Sequence, residues 1–286
     1  MEEDYEPLTL PSDTLAHLQA FLSERREREE RFQALASQAE RDHEARTSAT
    51  ADPTASTFAT AGISMDLFSE DWQMSQFWYD KSTQLALAEE LTFADFQFRT
   101  RPVTEPSEPI NVAIVSAPSV FVHLLSLQRN GVIPKHIHPT LLEFDSRFSL
   151  LCPFPDPSAP RFVEYDFNHP LRLPSDLQGR FDSVLVDPPF LSAECQAGAA
   201  VTVRWLLKKT PEGVSPTELE KGVGRRVIVC TGERVAQLIE RYYAKEGVRE
   251  TEWNVVHERG LSNPFSCFSS YQGKRWRWKT IEDADL

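Results

Sequence analysis

The sequence predicts an α/β fold: a doubly wound, mostly parallel sheet with an antiparallel C-terminal pair, preceded by a helical extension. Three observations predict it. Short apolar or β-branched runs recur between residues 111 and 230, helical patterns lie between them, and the second, third and fourth runs each end at an acidic residue. Strands covered on both faces read as near-continuous apolar runs, and such sheets collect ligands at their carboxyl edge. With 286 residues, 41% of them hydrophobic, including eighteen Phe and six Trp, the chain can fill one sizeable core and carry appendages.

Residues 1–46 form the helical extension. From Pro11 to Arg46 the pattern is helical, with Ser12 or Asp13 as cap and Leu15, Leu18 and Leu22 as one short apolar stripe. Ser23–Arg31 is almost wholly charged, a solvated face, and Phe32, Leu35, Ala36 and Ala39 form a second stripe. Residues 47–64 have the Ala, Thr and Ser composition of a linker.

The body spans residues 65–273. Its strands are read at Asn111–Ser116, Thr140–Phe144, Arg161–Tyr165, Phe181–Val186 and Arg226–Cys230, and its returning helices at Pro118–Gln128, Ser192–Leu207 and Glu233–Lys245. Thr251–Val256 and Cys267–Tyr271 supply the antiparallel pair. Thr100–Pro109, Pro153–Pro160 and Lys209–Gly224, rich in Pro or Gly, read as surface insertions. Residues 274–286 are a tail in which Lys274-Arg-Trp-Arg-Trp-Lys279 interleaves cations and aromatics.

Charge and cysteine content narrow the partners and the compartment. A formal net charge of −13 opposes phosphate backbones and favours a basic partner. The four cysteines are far apart and form no CxxC pair, so they read as reduced thiols rather than zinc ligands. Met1-Glu2-Glu3-Asp4 is the opposite of a basic signal-peptide start, and no run approaches eighteen apolar residues. A cytoplasmic, monomeric protein without metal is expected. His136, His138, His169 and His257 read as surface or capped residues, and Cys195 as a buried thiol in a helix.

The segment that carries chemistry is Phe181-Asp-Ser-Val-Leu-Val-Asp-Pro-Pro-Phe190. A buried strand brings Asp187 to the sheet edge, where Pro188 and Pro189 fix the backbone and supply no N–H to occupy the carbonyls. A carboxylate and a rigid carbonyl together accept two hydrogen bonds from one amine, and Phe190 offers a flat face to a planar or cationic group. Upstream, Glu143 and Asp145 close the second strand, where such folds present a carboxylate to ribose hydroxyls. Asp166, beside Tyr165 and Phe167, closes the third. Ser116-Ala117-Pro118-Ser119 follows the first strand where a dinucleotide site would have GxGxxG, so no pyrophosphate cradle is indicated.

Those residues in that order resemble a Rossmann-like class I methyltransferase with the DPP-aromatic motif of adenine-amine enzymes. Asp71-Trp-Gln-Met-Ser-Gln-Phe-Trp-Tyr79, Val115–Val120, Leu142–Phe148, Tyr165–Asn168, Asp187–Cys195 and Asn263–Phe268 narrow the resemblance to the lysine methyltransferases of translation elongation factor 1A. The resemblance implies S-adenosyl-L-methionine as cofactor and elongation factor 1A, a basic protein, as substrate. It puts Trp72, Gln73, Ser75, Gln76 and Phe77 over the methionine end of the cofactor and Ser116–Ser119 beneath it. Glu143 or Asp145 would hold the ribose, Asp166 and Phe167 would flank the adenine, and Asp187–Phe190 would receive the amine. Many family members have Tyr where this chain has Phe190.

Two other readings stand beside it. The same DPPF serves RNA or DNA adenine methyltransferases; the acidic charge opposes that reading and the tail hexamer favours it. An inactive adaptor with the same fold would use Pro11–Arg46 and Phe77-Trp78-Tyr79 to bind a partner.

Overall fold

The computed structural model describes residues 68–71, 74–92, 109–152, 159–210, 212–261 and 263–280, together with scattered residues between 16 and 65. The chain divides into two compact units, Met1–Ser69 and Glu70–Leu286. In the first, the described residues between 16 and 41 are helical, and Phe32 meets the Phe68 ring edge-on at 6.2 Å. Leu15, Leu18, Leu35 and Ala39 of the expected stripes lie outside the described residues, as does the linker at 47–64.

The second unit is built on a seven-stranded sheet among the described residues, in the order β3-β2-β1-β4-β5-β7-β6. β1 (Ile110–Val115), β2 (Ile137–Glu143), β3 (Arg161–Glu164), β4 (Ser183–Val186) and β5 (Arg226–Gly232) are parallel. β7 (Phe265–Ser269) runs antiparallel between β5 and β6 (Arg249–Glu250). This is the expected doubly wound sheet with antiparallel C-terminal strands. β1, β4 and β5 are buried at every position, as their largely apolar sequences require.

β2 starts earlier than the apolar run suggests and includes Pro139. β3 first pairs with β2 at Thr140, so Pro139 lies where β2 has only β1 beside it, opposite Val112. A missing N–H is tolerated on such an edge. The strand expected over Thr251–Val256 does not form: β6 ends at Glu250, and Thr251 makes a single bridge to Trp278.

The helices that cover the sheet are α1 (Lys81–Thr92), α2 (Pro118–Arg129), α3 (Ala193–Leu206), α4 (Pro216–Glu220) and α5 (Ala236–Tyr242). The helix expected over Glu233–Lys245 is broken into two 3-10 turns flanking α5. Lys209–Gly224 is more ordered than a surface insertion should be. Ser215 and Glu218 cap α4 reciprocally, and the buried Arg226 donates to the Gly222 carbonyl at 2.7 Å. α3 seats tightly because Gly198 faces the Phe167 carbonyl, which a Cβ there would approach to 2.6 Å.

The tail hexamer is folded back. Trp276 is buried, stacks on Trp253 at 5.6 Å and donates to the Tyr271 carbonyl; Trp278 donates to the Ser269 carbonyl and lies under the Arg249 guanidinium. Both indoles are thus engaged within the fold. That removes the feature favouring single-stranded nucleic acid.

Candidate active site

In a parallel sheet every strand delivers its carboxyl end to the same edge, so register decides which side chains meet there. Val115 of β1 lies opposite Leu142 of β2 and Val186 of β4. Ser116, Glu143 and Asp187, which follow them, are therefore neighbours, and β1 and β4 sit where the strand order reverses. All three line one cavity of about 1070 Å³. That is slightly above the range of about 300–1,000 Å³ for small-molecule sites.

The turn from β1 into α2 presents backbone to this cavity. Ser116 has φ 56, a left-handed conformation that costs a non-glycine residue roughly 1–2 kcal/mol. Ala117 provides no side-chain cap for α2, and the Ser119 amide donates to no described residue. An uncapped helix start favours a polar, electron-rich ligand group.

Residues 74–80 span the cavity from the end of β2 to the loop around residue 257, forming its roof. At one end the Gln76 side-chain amide donates to Asp145 at 3.1 Å and to Glu143 at 3.5 Å. At the other, Tyr79 pairs with His257 in an antiparallel bridge, Glu258 N–H donates to the Trp78 carbonyl, and Asp80 N–H donates to the Val256 carbonyl. Glu70 accepts from Trp78 N–H and pairs with Arg259. The Tyr79 hydroxyl donates to Asp187 Oδ2 at 2.5 Å.

The acidic residues are not alike. Burial pushes Asp187 up to about 7, against the Tyr79 hydrogen bond that favours its ionised form, and Glu143 adds to the rise. Burial likewise lifts Glu143 to about 7, with the Asp145 backbone amide opposing and the Asp145 charge contributing. Burial would raise Asp145 too, but the Arg147 guanidinium and Gln76 outweigh it and hold it below the usual carboxylate range. The His169 side chain and the Asn168 amide lower Asp166. Burial pushes His257 down to about 4, so it is neutral near pH 7.

Most of the residues singled out in the sequence come together here. Ser75, Gln76, Phe77, Ser116, Ala117, Pro118, Ser119, Glu143, Asp166, Phe167 and Asp187–Phe190 all line the cavity. No described residue donates to the carbonyl of Asp187 or Pro188. Phe190 is 41% exposed and meets the Phe167 ring edge-on at 5.6 Å. Trp72 and Gln73 lie outside the described residues. Asp145 is not on the cavity wall; its carboxylate is taken up by Arg147 and Gln76, and it caps the 3-10 turn Ser146–Leu151.

His257, expected as a surface or capped residue, is not at the surface. It is buried on the cavity wall, its ring 4.9 Å from that of Tyr79 and 4.8 Å from that of Phe265. Trp78 and Tyr79 are buried as well, which leaves them no surface for a partner. Phe144, 58% exposed on the cavity rim, was missed, although an apolar residue after an acidic strand end was the available signal. Among the described residues no group of three His, Cys, Asp or Glu is placed to hold a metal ion, and no helix is long and apolar enough to cross a membrane.

A family model described as probable N6-adenine methyltransferase matches residues 70–273. The chain is 34% identical over 271 residues to protein-lysine N-methyltransferase EFM5 of Saccharomyces cerevisiae, a match covering 94% of each chain. It is 31% identical over 265 residues to protein-lysine N-methyltransferase M142.8 of Caenorhabditis elegans, covering 92% of this chain and 94% of that one. With EEF1A lysine methyltransferase 1 of Mus musculus it shares 33% identity over 207 residues, covering 71% of this chain and 75% of the relative.

Proposed function

The chain belongs to the family of protein-lysine N-methyltransferases represented by these relatives, and on that premise we propose that it methylates a lysine of EEF1A at the cavity edged by Asp187–Phe190. The observation that carries this reading is Asp187 itself. One carboxylate oxygen is held by Tyr79, no described residue donates to the other, and the group lies on the cavity wall beside Phe190.

S-Adenosylmethionine is the methyl donor of this family, and when bound it supplies an electrophilic methyl carbon on a sulfonium. The residues suit such a ligand. Glu143 is a buried carboxylate that no cation pairs with among the described residues, ready for two ribose hydroxyls. Asp166, Phe167 and the exposed ring of Phe144 would border the adenine. The uncapped turn Ser116–Ser119 and the roof residues Ser75, Gln76 and Phe77 would border the methionine end, with Trp72 and Gln73 preceding them in the chain. Asp145 would act through Gln76 rather than by contact.

The chain's task is to align a lysine amine and keep it neutral. A lysine with its ordinary value near 10.4 must be deprotonated at a cost of about 4–5 kcal/mol at pH 7. Burial beside Phe190 favours the neutral amine, while a full carboxylate charge opposes it. Asp187 is lifted to about 7 and shares its charge with Tyr79, so near pH 7 part of the population is uncharged and does not hold the ammonium. It accepts an N–H and turns the lone pair toward the cofactor. The net charge of −13 suits a basic protein substrate in the cytoplasm.

The experiment is transfer of label from S-adenosylmethionine to purified EEF1A, read by mass spectrometry on lysine. Asp187→Ala is expected to lower kcat by at least about 100-fold and to leave cofactor affinity within a few-fold. Label transferred to RNA or DNA in a parallel reaction, with purified EEF1A left unlabelled, would overturn the substrate assignment.

A further inference from the structure

We infer that Tyr79 is a positioning residue for Asp187: its hydroxyl holds one carboxylate oxygen so that the other is presented, alone, to the substrate amine. This rests on the active-site reading above and adds a residue to it.

The geometry is specific. Tyr79 O–H donates to Asp187 Oδ2 at 2.5 Å, and Oδ1 accepts from no described residue. The tyrosine cannot swing away. It is buried, its backbone bridges to His257, its carbonyl accepts from Gln84 Nε2 at 2.6 Å, and its ring lies 4.9 Å from the His257 ring. A donor fixed in this way needs no reorganisation when the amine arrives.

The chemistry gives the contact a purpose. A carboxylate with both oxygens free grips an ammonium bidentately and stabilises the form that cannot attack. With Oδ2 occupied, Asp187 offers one acceptor and part of its charge is drawn toward the phenol. Tyr79 therefore fixes which oxygen orients the amine and weakens the competing hold on its protonated form.

The surroundings leave this role to Tyr79. Glu143 at the end of β2 acts on Asp187 to raise it, and the Tyr79 hydrogen bond is the one described contribution that favours ionisation. The thiol of Cys230 on β5 also meets the Tyr79 hydroxyl, and it and Cys195 on α3 are themselves raised, first by burial and also by the Asp187 charge, with Cys267 on β7 linked to Cys230. His257, whose nearest charged influence is Asp80, stays neutral above about pH 4.

The test uses the full chain with EEF1A as substrate, carrying Tyr79→Phe, and in a separate preparation 3-fluorotyrosine at position 79. The acid limb of kcat against pH is the decisive readout. A hydrogen bond to a carboxylate favours its charged form, so losing it raises Asp187; Tyr79→Phe should move the limb up by about 0.5–1 pH unit. It should also lower kcat about tenfold or more, with S-adenosylmethionine affinity and melting temperature near those of the parent. The more acidic fluorophenol should move the limb down. If Tyr79→Phe fails to fold, the fluorinated chain, which keeps the ring and its donor, decides by the direction of its shift. An unmoved limb in the fluorinated chain, or kcat within twofold and an unmoved limb in Tyr79→Phe, overturns the inference. Asp187→Asn separates the two levels: an active Asp187→Asn sinks the active-site reading, whereas an inactive one beside normal Tyr79 variants sinks the role of Tyr79 alone.

Discussion

The Gln76 side-chain amide donates to Asp145 at 3.1 Å, tying the roof of the cavity to the end of β2. Its carbonyl oxygen accepts from Asp71 N–H and from the Arg147 guanidinium, so one buried amide joins both segments. Gln76→Ala leaves these groups to find other partners. Breaking one such buried arrangement costs about 1–3 kcal/mol, so S-adenosylmethionine affinity should fall by about tenfold or more while kcat at saturating cofactor stays within about threefold. Calorimetric titration and initial rates separate the two quantities. Unchanged affinity with a collapsed kcat would place the effect of Gln76 at the amine instead.

Glu143 gives the fold a pH dependence whose sign follows from its burial. Its native value is raised from the ordinary 4.5 to about 7. Between those values the unfolded chain gives up a proton that the native carboxyl keeps, so its contribution to stability is lost as pH rises from about 4.5 to about 7 and then levels off. Glu143→Gln removes that penalty. At pH 8 the variant should be more stable by on the order of 2–3 kcal/mol, with the gain disappearing near pH 4.5. Denaturant midpoints of the ligand-free protein at pH 4.5, 6 and 8 test this, and the same variant should bind the cofactor less tightly. Asp187, also raised to about 7, gives the parent a slope of the same sign, which Glu143→Gln lessens because the Glu143 charge adds to that rise.

Ser116 occupies a left-handed conformation, with φ 56, that glycine adopts without a clash. Ser116→Gly should relieve the strain and lose part of the gain to the greater freedom of the unfolded chain, for a net stabilisation of about 0.5–1 kcal/mol. Ser116→Val, stiffer at Cβ, should lower stability. Melting temperatures of the two ligand-free variants, expected on opposite sides of the parent, check the assignment.

The sheet was legible because its physics is local. Ser183–Val186 is buried at every position, and the Asp-Pro-Pro that follows cannot continue a central strand, so both the strand and its exit are visible within the ten letters Phe181–Phe190. The acidic residues at the ends of β2 and β3 were legible because they close short apolar runs. What the sequence hid is long-range. Tyr79 and Asp187 are 108 positions apart, and no periodicity marks a tyrosine that reaches from a roof segment to a strand end. His257 lies in an irregular stretch with no pattern, and only the fold shows that it packs on Tyr79 and Phe265. Glu143 and Asp145 read alike in the sequence; Arg147, which claims Asp145 and leaves Glu143 on the cavity, tells them apart. Ser215-Pro-Thr-Glu218 did carry a capping signature, but it lay inside a stretch rich in Pro and Gly that reads as an insertion.

The roof is pinned by backbone hydrogen bonds from the neighbourhood of residue 257, nearly the last part of the body to be synthesised. A growing chain displays Tyr79 and Asp187 well before it possesses the loop that locks the tyrosine in place. Contacts so distant in sequence form late, because the intervening chain must first be closed up. A nascent or truncated polypeptide lacking those residues would have its aspartate and its proline corner, yet lack the clamp that orients them. On the proposed reading, the orienting clamp on Asp187 waits for the segment around residue 257 to be made and docked.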